Sequence, residues 1–98
     1  MKYGAMNFPV LPVISEIETF AALGFDYLEL TLDAPEAHYT SIRRQRDNIL
    51  RTLSVHGLGL VCHMPTFVHA ADLTESIRRA SVEELLASLD TAADLGAT

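Results

Sequence analysis

Residues 58–65, Leu-Gly-Leu-Val-Cys-His-Met-Pro, constrain the fold more than any other stretch of this chain. A short, nearly unbroken apolar run between turn signals reads as a buried strand, and fully buried strands belong to parallel sheets flanked by helices. Alternate side chains of a strand share a face, so Val61 and His63 project one way while Leu60 and Cys62 project the other. Pro65 brings no amide donor and restricts Met64 to extended geometry, which ends the ladder. His63 therefore stands where the strand opens into a loop, at the carboxyl end where α/β sheets and barrels keep their chemistry.

Two similar units precede this one. Tyr3 to Phe8 is short and apolar, consistent with an opening strand closed by Pro9 and Pro12. Asn7 and Phe8 stand where a strand end would present them to a ligand, although a polar turn residue and a core aromatic have equally ordinary structural uses. Ser15-Glu16-Ile17-Glu18 has the spacing of a capping box, followed by a helix with the stripe Ile17, Phe20, Ala21 and Leu23, and Gly24 to end it. Tyr27 to Leu32 alternates most clearly, with Leu28, Leu30 and Leu32 on one face and Tyr27, Glu29 and Thr31 on the other. If the leucines pack under helices, Glu29 points into the interior or toward its carboxyl-end rim. A carboxylate there needs an ion pair, hydrogen bonds or a metal to offset its desolvation.

Asp33 follows the strand directly and lies near the same rim. His38 and Tyr39 belong to the next loop, as a substrate cover or as solvated side chains. Ser41 is placed to cap a helix whose buried stripe is Ile42, Ile49, Leu50 and Leu53, with Arg43–Asp47 and Asp47–Arg51 as surface pairs and His56-Gly57 as its end. Arg43, Arg44, Arg46 and Arg51 make a basic patch, but with no aromatics interleaved it reads as a solvated helix face rather than a nucleic-acid surface. After Pro65 a short loop keeps Phe67 and His69 near the rim. A helix then extends from about Thr74 to Leu95, bent near Ser81, with Ile77, Val82, Leu85, Leu86, Leu89 and Ala93 as its packed side and Ser81 and Glu84 as an internal capping box or exposed polar residues. Gly96 stops it.

The order is strand, loop, helix, three times, with connections too long for hairpins, and the preferred handedness of such crossovers yields a βα array. Of the 98 residues, 49% are hydrophobic, while a chain of this size buries only about 60 to 65% of its potential surface. That excess of apolar surface implies the remainder of a barrel or a homo-oligomer. The net charge of −6, from 13 acidic and 7 basic residues, favours solubility over nonspecific binding to nucleic acid or membrane. A lone Cys62 excludes an intrachain disulfide and suits a reducing compartment. No apolar run approaches the roughly 18 residues of a membrane span, and Met1-Lys2-Tyr3-Gly4 does not read as a secretory leader. Cytoplasmic localisation is the expectation.

Three segments carry a resemblance: Gly24-Phe25-Asp26-Tyr27-Leu28-Glu29-Leu30, His63-Met64-Pro65 and Ala92-Ala93-Asp94-Leu95-Gly96-Ala97. In order and spacing the chain resembles, over essentially all of its length, the amino-terminal part of the xylose-isomerase-like TIM-barrel superfamily, which includes sugar isomerases, epimerases and the endonuclease IV type of abasic-site nuclease. The resemblance implies an α/β fold, the first three βα units of a (β/α)8 barrel, with residues 1–98 a partial domain continuing beyond Thr98 and inactive in isolation. It implies isomerisation or epimerisation of a small sugar or sugar phosphate, with Glu29 and His63 lining the substrate pocket; position along the chain adds Asn7, Asp33, Phe67 and His69 as candidates for its rim. A divalent metal (Mn, Mg, Co or Zn) is implied, with its principal ligands outside this segment.

In the nuclease branch His63 would itself bind metal. There, however, the signature continues with an aromatic where Thr66 stands and an asparagine where His69 stands, so DNA phosphodiester cleavage is the second expectation. A noncatalytic ligand-binding barrel is the third. Sugar isomerisation needs a base and acid to move a proton beside a carbonyl and a positive group to stabilise the oxyanion formed. Glu29 and His63 alone do not supply that complete set.

Overall fold

The computed structural model describes all 98 residues. Its elements, in chain order, are β1 (Gly4–Met6), α1 (Val13–Ala22), β2 (Tyr27–Thr31), α2 (Tyr39–Arg44), α3 (Arg46–His56), β3 (Gly59–His63) and α4 (Glu75–Asp94). The strands form one parallel sheet in the order β1-β2-β3. Met6 stands beside Glu29, Glu29 beside Val61, and Thr31 beside His63. This is the expected succession of three βα units, with the second crossover split into two helices, and it matches one wall of a (β/α)8 barrel.

The core is one-sided. Leu28, Leu30 and Leu32 are fully buried on the helical face of the sheet, in one cluster with Val13 and Ile17 of α1, Ile42 of α2 and Ile49 and Leu53 of α3. Alternation in β2 thus predicts the covered face correctly, and truncating such a leucine to alanine costs about 2–5 kcal/mol. On the opposite face Met6 and His63 are exposed and Glu29 and Val61 are only half-buried. Parallel sheets are normally covered on both faces, and in a barrel the inner face is covered by the strands across the axis. Here that face is open apart from Thr31, which is 2% exposed.

Glycines end the helices where the sequence places them. Gly57 caps α3 in the left-handed conformation at φ 65°, its amide donating to Ser54 O and that of Leu58 to Leu53 O. The turn reverses the chain straight into β3.

Several local expectations are corrected. β1 is shorter than Tyr3 to Phe8, because Phe8 turns out to solvent at the bend before Pro9. The Ser15–Glu18 capping box does not form: α1 starts at Val13, and the Ser15 hydroxyl donates to Pro12 O at 2.8 Å. Pro12 has no amide of its own to satisfy, so the helix opens directly behind it. With that start Glu16 turns inward, and Leu23 is 68% exposed rather than part of the stripe. Ser41 is not a cap either. His38 caps α2, accepting from the Thr40 amide, while Ser41 lies buried within the first turn. The helix then breaks at Gln45 (φ −102°, ψ 8°).

The arginines of this corner are also not free solvation. Arg43 donates through Nε to Thr91 Oγ1 (2.9 Å) and through Nη2 to Ala87 O (3.1 Å), and Arg46 pairs with Asp94 at 2.6 Å. They tie the α2–α3 corner to α4, and the expected Arg43–Asp47 and Asp47–Arg51 pairs do not form. The packed side of α4 differs most. The buried residues are Ser81, Ser88, Thr91 and Ala92, whereas Ile77, Val82, Leu86 and Leu89 are 45, 40, 57 and 53% exposed and Ala93 is exposed too. Small side chains let the helix approach closely, and contacts with the loops and α2 fix its rotation. The helix is continuous through Ser81, with no internal capping box: the Ser81 hydroxyl instead accepts from the His69 amide at 2.9 Å. No helix is long and apolar enough to cross a membrane.

Candidate functional site at the carboxyl end of the sheet

Register stacks the inner face into layers. Gly4, Tyr27 and Gly59 form the layer nearest the amino ends, Met6, Glu29 and Val61 the next, and Thr31 and His63 the layer at the carboxyl ends. Glu29 and His63 therefore share a face, as alternation requires. They are not level: at about 3.3 Å per residue, Glu29 stands about 6.6 Å deeper than the Thr31–His63 layer. None of the four ion pairs involves Glu29, so the internal pair that would give it a purely structural use is not formed within this chain. His63 is exposed at the strand end.

Asp33 is the organiser of the rim. One carboxylate oxygen accepts from the Thr66 amide at 2.8 Å; the other accepts from the Thr66 hydroxyl at 2.9 Å and from the Thr31 hydroxyl. Partial burial pushes the Asp33 carboxyl upward, but donation from Thr31 and Thr66, together with the nearby His63 charge, outweighs it and holds the group below its ordinary value. The bracket joins the loop after β2 to the loop after β3. Sequence reasoning placed Asp33 at the rim but gave no role to Thr31 or Thr66. The available signal was a threonine ending a strand two residues before an aspartate, a spacing at which the two side chains leave the same face of the chain.

Asn7 is buried, and its Oδ1 accepts from the Thr31 amide at 2.8 Å. It continues the β1–β2 ladder past the last residue of β1, while its Nδ2 is buried without a partner. Phe67 is 84% exposed. It lines a cavity of about 220 Å³ with Leu32, Asp33, Pro65 and Glu84, outside the sheet's inner face. His69 is exposed at its side chain, and its amide is held by Ser81. His38 is drawn away from any role as a cover: its Nε2 meets Glu84 Oε2 and its Nδ1 meets Thr40 Oγ1, both at 2.8 Å. Arg43 lies 4.8 Å from the Tyr39 ring centre, a cation–π contact that packs the start of α2. Cys62 faces the helices, and burial pushes its thiol up to about 11, which keeps it protonated and unreactive.

No three histidine, cysteine, aspartate or glutamate side chains converge to hold a metal ion. Asp33, the carboxylate nearest His63 on the rim, already accepts three hydrogen bonds. The residues of this segment therefore do not by themselves fit a metal centre.

A three-stranded parallel βα wall with its helices on one face is the architecture of part of a (β/α)8 barrel. A family model described as xylose isomerase-like TIM barrel matches residues 17–98, and the chain belongs to that family. The match begins within α1, so β1 lies outside it although it pairs in register with β2. No curated protein matches the chain.

Proposed function

We propose that this chain supplies the first three βα units of a (β/α)8 barrel that continues past Thr98 and isomerises or epimerises a small sugar or sugar phosphate in the cytoplasm. The observation that carries this reading is the open inner face, on which Glu29 and His63 stand on one side of the sheet with His63 at the carboxyl end. His63 offers ring nitrogens to substrate oxygens at the mouth, and Glu29 holds hydroxyl groups deeper in. Asp33 keeps the two loops flanking His63 in place. The divalent cation of such a reaction (Mn, Mg, Co or Zn) takes its principal ligands from outside residues 1–98, and the inner face and the β3 edge, where the Thr98 amide already donates to Leu60 O at 3.1 Å, are covered by the rest of the barrel or by further copies.

The deciding experiment is turnover by the full-length protein over a panel of aldoses, ketoses and their phosphates, with each divalent cation, alongside cleavage of an abasic-site DNA duplex. Interconversion of a sugar pair is expected. DNA cleavage without sugar turnover would transfer His63 to the nuclease reading, and neither activity would leave a binding barrel.

A further inference from the structure

We propose that the cavity between the loop after β2, the loop after β3 and the middle of α4 is a binding site for a small organic ammonium ion, a primary amine on an apolar body, whatever the inner face of the sheet turns over. All of its walls lie within this chain. Two chambers, of about 220 and 350 Å³, meet there, and Phe67, Val68 and Glu84 line both. The smaller adds Leu32, Ala34 and Pro65, the larger Ile77 and Ala80, so the surroundings are chiefly apolar. The smaller chamber falls below the roughly 300–1,000 Å³ of pockets that hold drug-sized ligands, which limits the occupant to a compact molecule.

The charge of the site has one sign. No lysine or arginine lines either chamber, and the arginines early in α4 are engaged elsewhere, Arg78 with Asp72 O and Arg79 with Glu75. Glu84 Oε2 meets His38 Nε2 at 2.8 Å, but Nδ1 of that ring accepts from the Thr40 amide. A ring that accepts at Nδ1 carries its proton on Nε2 and is neutral. His38 therefore gives Glu84 a hydrogen bond and cancels none of its charge, and Oε1 of Glu84 engages no other group. Asp33 also stands in the wall, with both oxygens taken by Thr31 and Thr66. Phe67, in the wall with Glu84, is 84% exposed, and an aromatic face attracts a cation that comes within about 6 Å of its centre. An ammonium head answers Oε1 and the ring together, and an apolar body covers Val68 and Ile77.

The test titrates the full-length protein with benzylamine and, separately, with benzyl alcohol, which has the same ring and no charge, following backbone amides by two-dimensional NMR. Benzylamine should move the amides of Phe67, Val68 and Glu84 and bind about tenfold or more tightly than the alcohol. Glu84→Gln should bring the two affinities together, and Phe67→Ala should weaken both. His38→Ala separates charge from structure: it breaks the same link between α2 and α4 as Glu84→Gln but leaves the carboxylate, so it should keep the preference for the amine. Equal affinity for the two probes, no movement of those amides up to about 10 mM benzylamine, or equal loss of the preference in His38→Ala and Glu84→Gln would overturn the site. None of these outcomes bears on sugar turnover, which is measured separately.

Discussion

Replacing Asp33 removes three hydrogen bonds at once and should loosen the rim without unfolding the sheet. The acceptor is charged and its donors are the Thr31 hydroxyl, the Thr66 amide and the Thr66 hydroxyl. Hydrogen bonds to charged groups are each worth about 1.5–3 kcal/mol when buried. The site is partly exposed and the three share one carboxylate, so after discounting for solvent the loss in Asp33→Ala is about 2 kcal/mol. Read by hydrogen exchange, that is about a 30-fold loss of protection at the Thr66 amide. Asp33→Asn should lose less, because its Oδ1 still accepts from that amide.

The same reasoning fixes a pH dependence. Asp33 ionises at a lower pH in the folded chain than its ordinary 3.8, so its contribution is complete above that value and is lost as pH falls through the lower folded one. Protection at Thr66 should therefore fall toward that of Asp33→Asn in strong acid, because the protonated carboxyl keeps one carbonyl acceptor, and stay flat above about pH 5. Equal Thr66 protection in the native protein and Asp33→Ala near neutral pH would refute the bracket.

Two further outcomes follow from local geometry. Gly57→Ala should destabilise the fold by about 1 kcal/mol in chemical unfolding, entirely through the left-handed backbone, since nothing lies within 4 Å of the added Cβ; Ser54→Ala on the same turn should be nearly neutral. His38→Ala and Glu84→Ala should couple by about 0.5–1 kcal/mol in a double-mutant cycle on stability, because the 2.8 Å contact between them joins α2 to α4; strict additivity would show that the pair holds nothing.

Strand alternation and helix-ending glycines were legible because both act locally. Leu28, Leu30 and Leu32 declare the covered face by period alone, and Gly24, Gly57 and Gly96 all take positive φ. What the residues did not disclose depends on partners distant in the chain. The start of α1 is decided by Pro12, which overrides a capping box of correct spacing. The rotation of α4 is decided by Arg43 and Arg46 reaching across to Thr91, Ala87 and Asp94, and by small residues permitting close approach, so a count of leucines picks the wrong side. At the site, the faces of Glu29 and His63 followed from period two. Their difference in depth needed the interstrand register, and the Asp33–Thr66 bracket spans 33 residues of sequence, beyond any local pattern.

The account stands most directly on His63. On the proposed isomerase reading, His63→Ala in the full-length protein should lower kcat/KM for sugar turnover by about 100-fold or more, while chemical unfolding changes by less than about 0.5 kcal/mol, because the side chain is exposed at the strand end. Unchanged turnover together with an appreciable loss of stability would show that the histidine serves the fold and would contradict the placement of the site.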